Sequence, residues 1–132
     1  PPNKKTKTPN FENKGAAEIG PDSQAVQRSD VVFISGQITL NPENGQLNNA
    51  TFEEEANQVL DNLEAICQEA GGTLDHILKL TIYLTDLSKF DVVNSIMASR
   101  FSEPFPARAT LEISKLPKEV SIEMDAILSI TI

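Results

Sequence analysis

The chain has no tryptophan and a single tyrosine, Tyr83. That argues against a base-stacking platform and against an aromatic cage for cations. It has one cysteine, Cys67, and one histidine, His76. A lone cysteine excludes an internal disulfide and agrees with a reducing compartment. A lone histidine does not head a zinc site, and no Asp/Asn/Gly loop of the calcium-binding kind is present, so no metal is expected. The Gly-x-Ser-x-Gly elbow of one large class of hydrolases is also missing. No apolar run reaches the roughly 20 residues needed to cross a bilayer. The opening Pro1–Asn10 segment is polar and rich in lysine, without the apolar stretch of a signal peptide, so a cytoplasmic protein is expected.

What is present fits one domain. The chain has 132 residues, of which 39% are hydrophobic, enough for a single modest core. The formal net charge is −8. Lys4, Lys5, Lys7 and Lys14 oppose only Glu12 in the first 14 residues, so the remainder is more acidic still. An acidic body repels phosphate backbones and argues against a nucleic-acid partner. Residues 1–14 read as a polar tail, and 15–132 as the domain.

Periodicity supplies the elements. Val31-Val32-Phe33-Ile34-Ser35 is β-branched and apolar, bounded by Asp30 and Gly36, and reads as a strand. Asn44-Gly45 marks a turn. Thr51-Phe52-Glu53-Glu54 starts a helix whose apolar positions run from Ala56 through Val59, Leu60, Leu63 and Ile66 to Ala70. Gly71-Gly72 stops it. Cys67 falls on that apolar stripe and reads as a buried thiol. Residues 77–84 alternate, which predicts Leu78, Leu80, Ile82 and Leu84 on one face and Lys79, Thr81 and Tyr83 on the other. A second helix carries Phe90, Val93, Ile96, Met97 and Phe101, and Pro104 and Pro106 end it. Two more strands, around 107–113 and 120–130, close the chain.

This order predicts an α/β two-layer sandwich of the α+β kind: a mixed sheet with two helices on one face. The other face is expected to show Lys79, Thr81, Tyr83, Arg108, Thr110, Glu112, Ser121, Glu123, Asp125 and Ile127. A face that mixed is expected to pack against other copies. If the last two strands form an antiparallel hairpin, Arg108 lies opposite Asp125, or Glu123 after a slip of two residues. A guanidinium beside carboxylates reads either as a cross-strand salt bridge or as a site for a small anion.

Seven short motifs then occur in one order. They are Ile19-Gly20-Pro21-Asp22-Ser23-Gln24-Ala25-Val26, Ser35-Gly36-Gln37-Ile38, Asn41-Pro42, Val93-Asn94, Pro106-Ala107-Arg108, Leu116-Pro117-Lys118 and Ile122-Glu123-Met124-Asp125-Ala126. Together they resemble the RidA/YjgF family of reactive intermediate deaminases, from about residue 15 to the end. The resemblance implies a homotrimer of the chorismate-mutase-like fold with clefts between subunits. It implies hydrolysis of 2-imino acids and enamines, such as 2-aminoacrylate and 2-iminobutyrate, to 2-oxo acids and ammonia, with no cofactor. By the same resemblance Arg108 grips the substrate carboxylate and Glu123 orients the hydrolytic water. Asn94, Gly36, Asp22 and Thr110 line the cleft, Gly36 from a loop whose backbone approaches the ligand.

Two positions depart from the family pattern. Asp22 stands where a tyrosine is usual, and Thr110 where cysteine is often found. Asp22 either points into the cleft, adding negative charge near an incoming carboxylate, or simply serves the turn after Pro21. The first case leaves open a non-catalytic trimer that binds a small carboxylate. Some family members carry RNA-related labels, and an RNA-acting translation inhibitor is the remaining alternative.

Overall fold

In the computed structural model the described residues are 8–10 and 23–130, so Asp22 lies outside them. The elements run β1 (Thr8–Asn10), β2 (Ala25–Arg28), β3 (Val31–Gln37), α1 (Phe52–Glu69), β4 (Ile77–Leu84), α2 (Phe90–Arg100), β5 (Ala107–Glu112) and β6 (Ile122–Ser129). The strands make one six-stranded sheet in the order β1-β2-β3-β6-β4-β5. β4 and β5 are parallel, and every other neighbouring pair is antiparallel. Both helices cover one face, giving the two-layer α+β sandwich expected from the sequence.

α1 forms where the sequence places it. The Thr51 hydroxyl accepts from the Glu54 N–H at 3.1 Å, and Glu53, Glu54 and Glu55 occupy the positive end of the helix dipole. Gly71 turns the chain out of the helix at φ +97°, a value costly for any residue with a Cβ. The Gly72 N–H then closes onto the Cys67 carbonyl at 2.8 Å. The inner stripe of α1 (Val59, Leu60, Leu63 and Ile66) meets Val32, Leu80, Ile82, Ile122 and Leu128 of the sheet, all essentially fully buried. Each such side chain contributes about 1.5–3 kcal/mol by leaving water.

Polar contacts fix the helices in place. Asn62, buried on α1, donates to the Ile38 and Leu40 carbonyls at 3.0 and 2.9 Å, tying the end of β3 to the helix. Glu55 is buried, and its Oε1 accepts from the Ser121 N–H at 2.9 Å, which ties the first turn of α1 to the start of β6. Arg100 joins the end of α2 to Asp61 of α1 at 2.7 Å. His76 has a partner too: its Nδ1 accepts from the Thr73 N–H at 3.0 Å, capping the turn before β4.

Three expectations about the sheet are corrected. β5 and β6 do not form a hairpin, because β4 lies between them. The connection from β5 passes through a turn at Pro117–Glu119 and carries β6 past β4, into the place between β3 and β4. Secondly, the side chains of β5 take the opposite phase. Arg108, Thr110 and Glu112 stand level with Leu80, Ile82 and Leu84, so they lie on the helix side; Ala107, Ala109 and Leu111 take the open face. Thirdly, Leu78 is 57% exposed while Ile77 is buried. The β4–β6 register shifts between Ile77 and Lys79, and the extra residue of that irregularity turns Leu78 outward.

Candidate active site

Arg108 leaves the outer strand of the sheet and points toward α2. One guanidinium nitrogen donates to Asn94 Oδ1 at 2.6 Å and lies 3.5 Å from the Met97 sulfur. The guanidinium carbon sits 5.1 Å from the centre of the Phe90 ring. An amide oxygen and an aromatic face thus hold a planar cation without neutralising it. The residue stays exposed and lines a pocket of about 340 Å³ with Asn94, Met97, Ala98, Phe105 and Pro106. A guanidinium with no carboxylate partner among the described residues, at the mouth of an apolar pocket, is suited to a small carboxylate. Thr110 lies two residues along the same face; its Oγ1 is buried and has no hydrogen-bond partner among the described residues.

Glu123 belongs to a different place. It stands level with Tyr83 of β4, on the face away from the helices, where Asp125 stands level with Thr81. The Tyr83 hydroxyl donates to Asp125 Oδ2 at 2.8 Å. Burial, and then the neighbouring Asp125 charge, hold the Glu123 carboxyl above the ordinary carboxylate range. The Tyr83 phenol is also raised, first by its hydrogen bond to Asp125, then by burial and the charges of Asp125 and Glu123. Gly36 completes this cluster. It lies within β3, at an irregularity where the register with β6 shifts, and not in a loop. A Cβ built on Gly36 collides with the Glu123 carboxylate, so the missing side chain makes room for that group.

The predicted site residues therefore fall into two groups. Arg108, Asn94 and Thr110 gather on the helix side of the outer strand; Glu123 and Gly36 gather on the open face. Within one chain the guanidinium and the glutamate are separated by the sheet, against the shared neighbourhood expected from a hairpin. Sequence reasoning overlooked the carriers of each half, namely Met97 and Phe90 under Arg108, and Tyr83 on Asp125. The signal for Tyr83 was available as the lone tyrosine on an alternating strand. Met97 and Phe90 read simply as core. Cys67 plays no part: burial, helped by the Glu64 charge, pushes its thiol up to about 12, leaving it an inert core residue. Among the described residues no cluster of His, Cys, Asp or Glu is placed to hold a metal ion.

With this geometry in hand, known proteins give the class. Residues 13–130 match the family model described as Endoribonuclease L-PSP. The chain is 41% identical over 114 residues to the 2-iminobutanoate/2-iminopropanoate deaminase of Mus musculus, covering 86% of this chain and 84% of the relative. It is 41% identical over 117 residues to a RutC family protein of Pyrococcus abyssi, covering 89% and 92%. The crystal structure of RidA from the Antarctic bacterium Psychrobacter sp. superposes with a TM-score of 0.89 at 40% identity, covering 92% of this chain and 98% of that one. The chain belongs to the RidA/YjgF family.

Proposed function

We propose that this protein hydrolyses reactive 2-imino acids and their enamine tautomers, such as 2-iminobutyrate and 2-aminoacrylate, to 2-oxo acids and ammonia. The observation that carries this reading is Arg108, a guanidinium held by Asn94, without a carboxylate partner among the described residues, at the mouth of a small apolar pocket. The deaminase names of relatives at about 40% identity support it. No helix among the described residues is long and apolar enough to cross a membrane. The reading takes the protein as a cytoplasmic homotrimer that needs no cofactor.

In this mechanism Arg108 binds the substrate carboxylate and Asn94 keeps the guanidinium in place. Thr110 and Gly36 border the bound molecule. Starting from the protonated imine, Glu123 takes a proton from water as its oxygen bonds to the C=N carbon, and the C=N π pair moves onto the nitrogen, leaving a neutral amine. The resulting carbinolamine breaks its C–N bond as Glu123 returns a proton to the nitrogen. Ammonia leaves with the C–N electron pair, the hydroxyl oxygen gives up its proton to solvent, and the C=O of the 2-oxo acid forms. A carboxyl with raised proton affinity suits both directions of this transfer. Orientation and charge supply most of the rate.

Arg108 and Glu123 lie on opposite sides of one sheet, so a complete site requires Arg108 from one chain and Glu123 from another. An open face with Phe33 at 49% and Leu111 at 45% exposure supports association through that surface.

The test is a competition assay. An amino-acid oxidase generates 2-iminobutyrate in the presence of semicarbazide. Wild type should suppress semicarbazone formation, and Arg108→Ala should not. Refolding Arg108→Ala together with Glu123→Gln should restore part of the activity, because some mixed interfaces carry both native residues. An inert wild type would sink the deaminase reading; inert mixed oligomers, with an active wild type, would sink the shared site. A wild type that binds 2-oxobutyrate calorimetrically without turnover would point to the carboxylate-binding trimer, and activity in Asp22→Tyr would then place the cause at Asp22.

A further inference from the structure

The cluster behind Glu123 contains two groups the reaction as written does not use. Asp125 lies two residues from Glu123 on the same strand and the same face. Tyr83, level with Glu123 on the adjacent strand, reaches diagonally to Asp125 with a 2.8 Å hydrogen bond. A phenol donor in a fixed cross-strand position denies the Asp125 carboxylate most of its rotational freedom. Tyr83 and Asp125 are both only partly exposed.

We propose that Asp125, tethered by the Tyr83 hydroxyl, is a positioning residue for Glu123: its fixed negative charge makes Glu123 the stronger base and so sets the pH range of the reaction. The inference rests on the deaminase reading for its effect on rate, but the electrostatic coupling stands on geometry alone. Among the described residues, the surroundings of Glu123 leave few other sources of such an effect. β3 presents Gly36, which carries no charge and whose missing Cβ lets the carboxylate sit against the strand. On β4 the titratable neighbours are Tyr83 itself and Lys79; the lysine is exposed and stands level with Ile127, two side-chain positions further along the face. On β6 the neighbour is Asp125. The direction of the Glu123 shift, with burial first and Asp125 second, agrees with this inventory.

Catalytically, a carboxylate that holds its proton too weakly takes one from water poorly. A fixed like charge nearby strengthens it as a base. Asp125 itself touches no reacting atom in this scheme. Arg108, on the other face, holds the substrate whatever Asp125 does.

Two variants test it in the full-length protein, Asp125→Asn and Tyr83→Phe. The asparagine keeps the shape and can still accept from the phenol, while losing the charge. Carboxyl 13C NMR follows the titration of Glu123 directly and needs no turnover. Asp125→Asn should lower the Glu123 midpoint, and Tyr83→Phe should lower it less, because an untethered Asp125 turns toward water. In the ammonia-release assay the acid limb of kcat should move to lower pH in the same order. At neutral pH kcat should fall roughly threefold in Asp125→Asn without a rise in KM. A merely structural role would lower the melting temperature but leave the midpoint and the limb in place. An unchanged Glu123 midpoint in Asp125→Asn, or a rise in Tyr83→Phe, overturns the proposal. A wild type without activity overturns the deaminase reading instead, while the NMR titration still decides the coupling.

Discussion

The two faces of the sheet answer to different demands. On the helix-covered face Val32, Leu80, Ile82, Ile122 and Leu128 all have 0% exposure, and their work is to exclude water. On the open face Phe33 and Leu111 stay about half exposed beside the Tyr83–Asp125 hydrogen bond and the Glu123 carboxyl. Along β3, β4 and β6 the covered face tolerates only shape and hydrophobicity; its polar members, Arg108, Thr110 and Glu112, sit on the edge strand β5. The open face keeps titratable groups in partial contact with water, where their proton affinity can be tuned. Stability and chemistry are thus written on alternate residues of the same strands, β4 and β6.

That contrast can be broken by substitution. On the proposed mechanism, Glu123→Gln should lower kcat by about 10²- to 10⁴-fold with little change in melting temperature, since only the proposed proton-transfer group is lost. Leu80→Ala, one strand away and facing inward, should do the reverse. It should cost about 2–5 kcal/mol in chemical denaturation, while the surviving folded fraction keeps its turnover. Leu111→Ala on the open face should cost no more than about 0.5 kcal/mol in the isolated chain. If Leu111→Ala instead proved as costly as Leu80→Ala, the open face would have to be counted as core. Gly36→Ala sharpens the comparison from within β3. The new methyl must displace the Glu123 carboxylate, whose Cδ lies 2.9 Å from that Cβ position, so activity should drop about tenfold or more while the fold persists. Thr51→Ala removes the cap of α1 and should cost about 1 kcal/mol, with no change in the pH profile.

The smallest effect expected is on pH dependence. A carboxyl whose proton affinity is higher in the folded than in the unfolded chain binds more protons when folded. Its contribution is therefore fully present below the unfolded value, 4.5, and is lost as pH rises through the raised folded value. The melting temperature should decline slightly over that window in wild type, and the decline should be shallower in Glu123→Gln. Tyr83, raised above 10.0, adds a second loss in strongly alkaline solution, which Tyr83→Phe should remove.

Much of this architecture was legible in the residues. α1 carried its cap, its apolar stripe and its glycine stop in consecutive sequence. β6 alternated without interruption, and the structure buries every second residue from Ile122 to Leu128. The phase of β5 was not legible. Alternation gives a period, but only burial tells which half faces the core, and no β5 residue is fully buried because the strand lies at the sheet edge. Ala107, Ala109 and Leu111 were as plausible inward as Arg108, Thr110 and Glu112. Strand order was hidden for a related reason: the nine residues between Glu112 and Ile122 read as the loop of a hairpin, and nothing local reveals that β4 already occupies the neighbouring place. The site residues themselves came from motifs in series, and their division between two faces came only from the register.

The bonds from Asn62 to the Ile38 and Leu40 carbonyls also say where this chain can change length. Ile38 and Leu40 are clamped to the interior of α1 through their carbonyls, and Leu40 pairs with Leu47 across the turn. The tip between them, closed by the Asn41 N–H on the Gln46 carbonyl at 2.8 Å, hangs beyond the clamp. Added residues at Glu43–Gly45 should be absorbed at the tip, since lengthening a surface loop costs little entropy. A single residue inserted between Gly36 and Ile38 has no such slack: it would shift the clamp against the strand and carry Gly36 away from Glu123.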